Sequence, residues 1–398
     1  MIQILFKRIC RMNISFLTTF IISILMLGYL FAGGGGGASH LDLPNTSAQQ
    51  ANDTNTTTIL RTTNSTAPVA AAATDTNYAG LEQNTKDFLL DITTKNNPPI
   101  NSLPPNEARA VLSGLQSSYS VDIPDSKVQN QTIPVGTNNE TIAIHIVRPA
   151  DTSENQVLPV VIYFHGGGWV LGGFDTHERL IKELATNANV SVVYVNYTRS
   201  PEAKYPVALE EAYAATKWVA ENSQSIYVNS SKLAVAGDSA GGNMATAVAM
   251  LAKERGGPAI SFQALFYPVT DYNFNTTSYE QFQEGYFLTR DAMKWFWNNY
   301  IDNQTTNIRD PLVSPLQASV KQLQGLPPTL VITGENDVLR DEGEAYAHKL
   351  MEAGVPVASI RYLGTIHDFM MLNVLANTPA SEEAVSQAAS IIHEVLYK

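Results

Sequence analysis

The 398-residue sequence predicts an α/β fold, with a mostly parallel central sheet and helices on both of its faces. Three observations predict this class. Short apolar runs rich in β-branched residues alternate with helical patterns over residues 142–398. A glycine-flanked serine joins one of these runs to an alanine-rich helix. Apolar residues make up 44% of the chain, which is enough for a sizeable core.

The elements can be assigned in order along the chain. Helices are predicted first at 81–90 and 105–115, because apolar residues recur there at three- and four-residue spacing. Residues 142–147 alternate between apolar and polar side chains like an edge strand. The later runs predict strands at 157–164, 190–195, 233–236, 262–267, 329–333 and 359–362, and helices at 207–221, 243–253, 342–353 and from about 378–379 to the C-terminus.

The first 32 residues predict a signal peptide or a membrane anchor. Lys7, Arg8 and Arg11 form a positive stretch, and an almost wholly apolar run comes next at residues 14–32. That run has about 19 residues, close to the roughly 20 that a membrane-spanning helix needs. The small residues 33–38 could hold a cleavage site. Both interpretations predict that the rest of the chain is exported, either tethered to a membrane facing outside or secreted.

Residues 33–79 predict a disordered linker. The segment opens with five glycines, and Thr, Asn, Ala and Ser dominate its remaining residues. Such a composition buries too little apolar surface to offset the entropy of ordering. Four Asn-x-Ser/Thr triplets, the first at Asn45, would suit a glycosylated stalk on an exported chain. Residues 80–398 then form one folded domain.

Charge and cysteine content narrow the possible functions. The formal net charge is −12, with 37 acidic against 25 basic residues. This balance argues against nucleic-acid binding, because phosphate contacts need clustered Lys and Arg. Cys10 is the single cysteine, so no intramolecular disulfide can form. The seven histidines include no H-E-x-x-H pattern, which argues against a zinc hydrolase.

Residues 237–241, Gly-Asp-Ser-Ala-Gly, carry the strongest chemical signal. They match the G-x-S-x-G pattern of a nucleophile elbow, and they lie between the predicted strand 233–236 and an alanine-rich helix. A sharp strand-to-helix turn strains the backbone of the serine, and bulky neighbours would clash there. The pattern therefore predicts Ser239 as a nucleophile.

Residues 165–169, His-Gly-Gly-Gly-Trp, come directly after the predicted strand 157–164. Successive glycines expose backbone N–H groups that can donate to the oxyanion formed during acyl transfer. A phosphate-binding loop is disfavoured, since neither G-x-G-x-x-G spacing nor a subsequent Gly-Lys-Ser/Thr is present. We interpret His165 as a structural hydrogen-bonding residue rather than a catalytic base.

An acid and a histidine come after two later predicted strands. Asp337 ends the run Gly-Glu-Asn-Asp after strand 329–333, and His367 comes just past strand 359–362. Chain order is then Ser…Asp…His, which is the order found in α/β-hydrolases. The sequence therefore predicts a triad of Ser239, Asp337 and His367.

These motifs together resemble the hormone-sensitive-lipase family of bacterial and archaeal esterases. The resemblance covers about residues 80–398 and rests on HGGGW, GDSAGG, GENDVLRDEG, GTIHDF and the segment DPLVSPL. It implies an α/β-hydrolase fold whose helical cap comes from residues 80–120 and roughly 271–309. The sequence departs from the family pattern at Arg199, which is displaced by one position, and at Val338, where proline is usual.

The motifs and the resemblance predict a serine carboxylesterase. It would hydrolyse short to medium acyl esters of small molecules through an acyl-enzyme on Ser239. The backbone N–H groups of Gly167, Gly168 and Ala240 would bind the oxyanion, with no metal and no organic cofactor. The oligomeric state stays open. Aromatic residues of the second cap segment are candidates to shape the pocket, namely Phe282, Tyr286, Phe287, Trp295 and Phe296.

Two alternatives remain open from the sequence. A peptidase or amidase could use the same fold and triad, and only substrate assays would separate it from an esterase. A binding or adhesion module that has lost catalysis is the other alternative. All three triad residue types are present here, which argues against such a module.

Overall fold

The computed structural model describes residues 78–136 and 140–398. The predicted targeting segment 1–32, and the predicted linker as far as residue 77, lie outside the described residues. Folded structure has begun by Tyr78, which is buried and donates a hydrogen bond from its hydroxyl to the Gly285 carbonyl at 3.1 Å. Within the two described ranges, no helix combines the length and the apolar character needed to cross a membrane.

One sheet forms the centre of the described part of the chain. Its eight strands are β1 (Ser126–Pro134), β2 (Thr141–Pro149), β3 (Leu158–Phe164), β4 (Ser191–Asn196), β5 (Val228–Asp238), β6 (Phe262–Phe266), β7 (Thr329–Asn336) and β8 (Val357–Ile366). They lie in the order β1-β2-β4-β3-β5-β6-β7-β8. β2 pairs antiparallel with both β1 and β4, and all other neighbours pair in parallel. The predicted α/β-hydrolase fold with a mostly parallel sheet is confirmed.

Helices precede the first strand, connect the parallel strands and follow the last strand. They are α1 (Gln83–Thr94), α2 (Pro105–Ser117), α3 (Phe174–Ala188), α4 (Val207–Glu221), α5 (Ala240–Arg255), α6 (Thr277–Phe282), α7 (Arg290–Tyr300), α8 (Val320–Leu323), α9 (Arg340–Glu352) and α10 (Pro379–Leu396). The chain passes from β3 to β4 in one direction and returns past β3 to β5. Right-handed crossovers therefore place α3 on the face opposite α4 and α5. α10 packs against α3.

Burial explains why the central strands form. β3 reads Leu-Pro-Val-Val-Ile-Tyr-Phe and is buried along its whole length, as expected of a strand covered by helices on both faces. α5 comes after β5 and is buried at every residue from Ala240 to Ala252, because its small side chains allow close approach to the sheet. The carboxyl ends of β3 and β5 are neighbours, so the loops after them meet at one edge of the sheet.

The two segments predicted as a cap pack against each other. The ring of Phe88 on α1 lies 5.7 Å from the ring of Phe287, which precedes α7. The 3₁₀ turn Ile100–Ser102 also contacts α7. Residues 80–120 and 271–309 are called the cap segments below. Residues of both segments line one cavity together with Gly167 and Ser239, which come after β3 and β5.

One strand was predicted correctly but placed wrongly in the sheet, and one strand was missed. Residues 142–147 were predicted to form an edge strand, whereas β2 lies inside the sheet with β1 as the true edge. β1 escaped prediction because its sequence, Ser-Lys-Val-Gln-Asn-Gln-Thr-Ile-Pro, is largely polar and mostly exposed, and even Val128 is 39% exposed. An edge strand open to water lacks the apolar run that marks a buried strand.

Candidate active site

Ser239 occupies a sharp turn between β5 and α5. Its backbone has φ +53° and ψ −119°, a conformation that is rare for a residue with a side chain. Strain of this kind costs about 1–3 kcal/mol and persists only where the surroundings enforce it. Here the Ser239 N–H donates to the Phe266 carbonyl at 2.8 Å, and the Val269 N–H donates to the Ser239 carbonyl at 3.1 Å. The end of β6 and the loop after it therefore hold the turn in place.

The glycines of the motif are required by close packing. A Cβ atom at Gly237 would overlap the backbone of Gly241, and one at Gly241 would overlap the carbonyl oxygen of Phe164. A Cβ at Gly242 would press on Pro268 at 2.8 Å. The first turn of α5 can approach β3 only because these side chains are absent.

The structure brings the three predicted triad residues together. His367 Nε2 lies 2.9 Å from Ser239 Oγ, and His367 Nδ1 lies 2.7 Å from Asp337 Oδ2. The second carboxylate oxygen of Asp337 accepts from the Leu339 N–H at 2.9 Å. All three side chains are buried. Assigned from these partners, Nδ1 carries the proton toward Asp337, and Nε2 is free to accept from the serine hydroxyl.

Carboxylates dominate the electrostatics around His367. Burial alone would lower its pKa, but Asp337 and Asp368 outweigh burial, and the pKa rises from 6.5 to about 9. Burial raises the pKa of Asp368 itself to about 6. The imidazole is thus surrounded by groups that favour its protonated form.

The glycine loop after β3 faces Ser239. Gly167 and Gly168 have φ +95° and +60°, and both line the same cavity as Ser239 and His367. The Gly167 carbonyl accepts from the Leu171 N–H at 2.8 Å, which closes the loop. Ala240 is the first residue of α5, where backbone N–H groups have no partner within the helix. Gly167 and Gly168 therefore line the cavity of the serine, and Ala240 follows it in the chain; their role as oxyanion donors stays a prediction.

A buried ion pair between Asp238 and His177 holds the glycine loop through the Gly166 N–H. No sequence pattern indicated this pair. Asp238 Oδ1 accepts from the Tyr163 hydroxyl at 2.6 Å and from the Gly166 N–H at 3.1 Å, while Oδ2 lies 3.2 Å from His177 Nε2. Burial alone would raise the pKa of Asp238 and lower that of His177. Their mutual attraction outweighs burial, so the pKa of Asp238 is lowered and that of His177 is raised.

His165 lies within the packed interior beside this pair. Its Nδ1 is 2.8 Å from the Gly166 carbonyl, and its ring stacks on Tyr197 with centroids 4.2 Å apart. Burial lowers its pKa to about 3, so the ring is neutral. These contacts agree with the predicted structural role. The displaced Arg199 also has a partner, since it donates to the Gly172 carbonyl at 2.5 Å.

A cavity of about 500 Å³ opens above Ser239 and His367. Both cap segments and the glycine loop supply its walls. Of the five aromatic candidates, Phe287 and Phe296 line this cavity, and the other three do not. Its other large apolar side chains include Leu112, Leu115, Leu171, Leu288 and Met293. Substrate would reach the serine through a mostly apolar pocket of ordinary small-molecule size.

The fold is that of an α/β-hydrolase, and the three predicted triad residues lie together in it. A family model described as alpha/beta hydrolase fold matches residues 161–371, more than half of the chain. The chain belongs to this α/β-hydrolase family, which includes hormone-sensitive lipase.

Curated relatives and solved structures agree with this assignment. A protein of Acanthamoeba polyphaga mimivirus assigned to the alpha/beta hydrolases is 44% identical, over 72% of this chain and 81% of its own. The carboxylesterase NlhH of Mycobacterium tuberculosis is 35% identical, over 73% of this chain and 89% of its own. A thermostable esterase from Pseudomonas putida, known from a crystal structure, is 50% identical. The match has a TM-score of 0.78 and covers 80% of this chain and 98% of that one. Since viral and bacterial relatives both match, the bacterial or archaeal type stays a prediction.

Proposed function

We propose that this chain is a serine carboxylesterase that works through an acyl-enzyme on Ser239. The observation that carries the proposal is the continuous contact from Ser239 Oγ to His367 Nε2 at 2.9 Å and from His367 Nδ1 to Asp337 at 2.7 Å. Several relatives are named as carboxylesterases or esterases, and this supports carboxylic esters as the substrate class.

In the proposed reaction, Ser239 Oγ attacks the ester carbonyl while its proton passes to His367 Nε2. The carbonyl electron pair moves onto oxygen, where the N–H groups of Gly167, Gly168 and Ala240 stabilise it. His367 then gives its proton to the departing alcohol as the C–O bond breaks. Water attacks the acyl-enzyme by the same route and releases the acid. Asp337 holds the imidazole in the required tautomer and stabilises its cation.

Short to medium acyl esters fit the cavity and the cap. A volume of about 500 Å³ lies in the range of small-molecule sites. The outer surface of the cap segments carries exposed polar side chains, such as Gln83, Gln281 and Glu284. A lid that binds an oil surface would instead present a broad exposed apolar patch. Dissolved esters are therefore the proposed substrates.

Hydrolysis of p-nitrophenyl butyrate and palmitate, each kept below its micelle concentration, tests the substrate range. We expect a higher kcat/KM for butyrate, because the long chain extends beyond the enclosed part of the pocket. A higher kcat/KM for palmitate would contradict the substrate range. Faster hydrolysis of a matched p-nitroanilide than of the ester would favour the amidase alternative, and a folded protein inactive on all three would contradict the proposed function.

A further inference from the structure

Asp368 places a second carboxylate next to the reacting nitrogen of His367. Its Oδ1 lies 3.4 Å from His367 Nε2, the same nitrogen that contacts Ser239 Oγ. The side chain is buried and borders the cavity above the serine. Among the described residues, Oδ1 is shielded from solvent and has no hydrogen-bond partner. An unpaired buried carboxylate oxygen is costly, so its position calls for a functional explanation.

The backbone fixes this position independently of the side chain. Asp368 has φ +62°, in the left-handed region that Asp and Asn tolerate better than most residues. Its carbonyl accepts from the N–H groups of Met371 at 2.8 Å and Leu372 at 2.9 Å. The turn after β8 therefore directs the Asp368 carboxylate at His367.

We propose that Asp368 is a second acceptor for the Nε2 proton of His367, so that two carboxylates stabilise the imidazolium formed during catalysis. The inference rests on the proposed function. In the reactive form of the free enzyme Nε2 carries no proton, and Oδ1 has nothing to accept. Once the serine proton reaches Nε2, that N–H can be shared between Oδ1 and the serine oxygen. An interaction that exists only after proton transfer stabilises the intermediate more than the reactive free enzyme.

The proton balance requires no further reactant. The Ser239 Oγ–H bond breaks as the bond from Oγ to the carbonyl carbon forms, and the proton moves to Nε2. Asp368 receives no proton and only accepts a hydrogen bond. The Nε2 proton then leaves with the alcohol, and Oδ1 returns to its unpaired state.

Other charged and titratable groups around His367 also influence its pKa. Asp337 faces Nδ1 from the loop after β7, and Asp238 acts from the end of β5. His177 on α3, the partner of Asp238, places a positive charge near Asp368. Tyr267, after β6, lies edge-on to the His367 ring with centroids 5.0 Å apart, and burial keeps its hydroxyl neutral by raising its pKa.

Asp368 is ionised over most of the working pH range, because burial raises its pKa only to about 6. Burial lowers the pKa of His367, whereas Asp337 and then Asp368 raise it, to about 9. Only neutral imidazole can accept the serine proton, so reactivity must rise with pH through the His367 pKa. Removing the Asp368 charge should move this rise to lower pH.

The test measures how fast Ser239 is labelled by diethyl p-nitrophenyl phosphate between pH 5 and pH 10. Its p-nitrophenolate leaves without needing a proton, so the rate reports His367 as a base. Asp368→Asn keeps the shape and the φ tolerance, and Asp368→Gly removes the side chain at a φ that glycine accepts. Asp122→Asn, at an exposed position, is the control for the loss of one charge.

We expect the wild-type rate to reach half of its alkaline plateau around pH 9 and the Asp122→Asn rate to coincide with it. Both Asp368 variants should show the rise about one pH unit lower, and their alkaline plateau should fall about tenfold because the imidazolium has lost its second carboxylate. If Asp368→Asn does not fold, Asp368→Gly carries the test.

Coincident pH profiles for the wild type and the Asp368 variants would overturn the inference while leaving the proposed function intact. A different result bears on the proposed function itself. If the wild type is not labelled, or if Ser239→Ala is labelled equally fast, Ser239 is not the nucleophile.

Discussion

Residues near Ser239 show how little room the turn leaves. The serine is held at φ +53°, and the carbonyl oxygen of Phe164 occupies the space where a Gly241 side chain would begin. Replacing such a glycine with a larger residue forces the backbone to move, because the atom in the way is itself a backbone atom. The stability of the turn and the position of the nucleophile are therefore linked.

Gly241→Ala should destabilise the protein by about 1–3 kcal/mol, the usual cost of overpacking. Chemical denaturation measures this change, and esterase activity should fall with it. Gly114→Ala is the matched control, because a Cβ there meets nothing within 4 Å and Gly114 lies inside α2. That variant should be more stable by about 0.5–1 kcal/mol. Equal denaturation midpoints for Gly241→Ala and the wild type would contradict the packing argument.

Sequence identifies residues whose role is local. Ser239 was identified because spacing and flanking glycines mark its turn, and Asp337 and His367 because each comes after a strand. The Asp238–His177 pair could not be predicted, since its members are separated by 61 residues and meet only after β3, β5 and α3 assemble. Asp368 carries no pattern of its own, and its proximity to Nε2 depends on a left-handed turn.

At the scale of elements, hydrogen bonds join α2 to the loop after β8, which carries His367. The Gln116 side chain donates to the Thr176 carbonyl at 2.6 Å and to the Met371 carbonyl at 3.0 Å, and it accepts from the Asn373 N–H at 2.9 Å. Gln116 is buried. One amide thus connects a cap helix, the start of α3 and the loop after β8.

Gln116→Leu should cost about 1–3 kcal/mol of stability, because the Asn373 N–H loses its acceptor and two carbonyls each lose one donor. Since the loop after His367 loosens, kcat should fall as well. Gln83→Leu, the same chemical change on the exposed surface of α1, should leave both quantities nearly unchanged. Chemical denaturation of both variants measures the change in stability, and ester hydrolysis measures the change in kcat. A fully active, equally stable Gln116→Leu would show that α2 and the histidine loop are independent.

Element prediction succeeded where burial produces a periodic or apolar pattern and failed where it does not. α4 was predicted with its observed bounds, Val207–Glu221, and the buried strands β3 and β4 within one residue at each end. β5 was predicted only over its buried end, since its first residues, Asn229 to Lys232, are partly exposed. The order of strands in the sheet could not be predicted, because it depends on pairing between distant segments.

At the scale of the whole molecule, the described domain comes after an N-terminal region for which the sequence predicts export. The positive stretch at residues 7–11 and the apolar run 14–32 support this proposal. A tag placed at the C-terminus should be accessible to protease on intact cells or be found in the medium. A tag before residue 1 serves as the comparison, since it should stay protected or be removed. Recovery of the full-length chain only from the cytosol would contradict export.

The central claim is that Ser239 forms a covalent acyl-enzyme. Mass spectrometry of protein quenched during turnover of p-nitrophenyl butyrate tests it most directly, with peptide mapping to locate the adduct. We predict one butyryl group on the peptide that contains Ser239. Folded Ser239→Ala should carry none and should lose about 10⁴-fold or more in kcat. An unmodified Ser239 during turnover, or a Ser239→Ala variant within tenfold of wild-type activity, would contradict the claim.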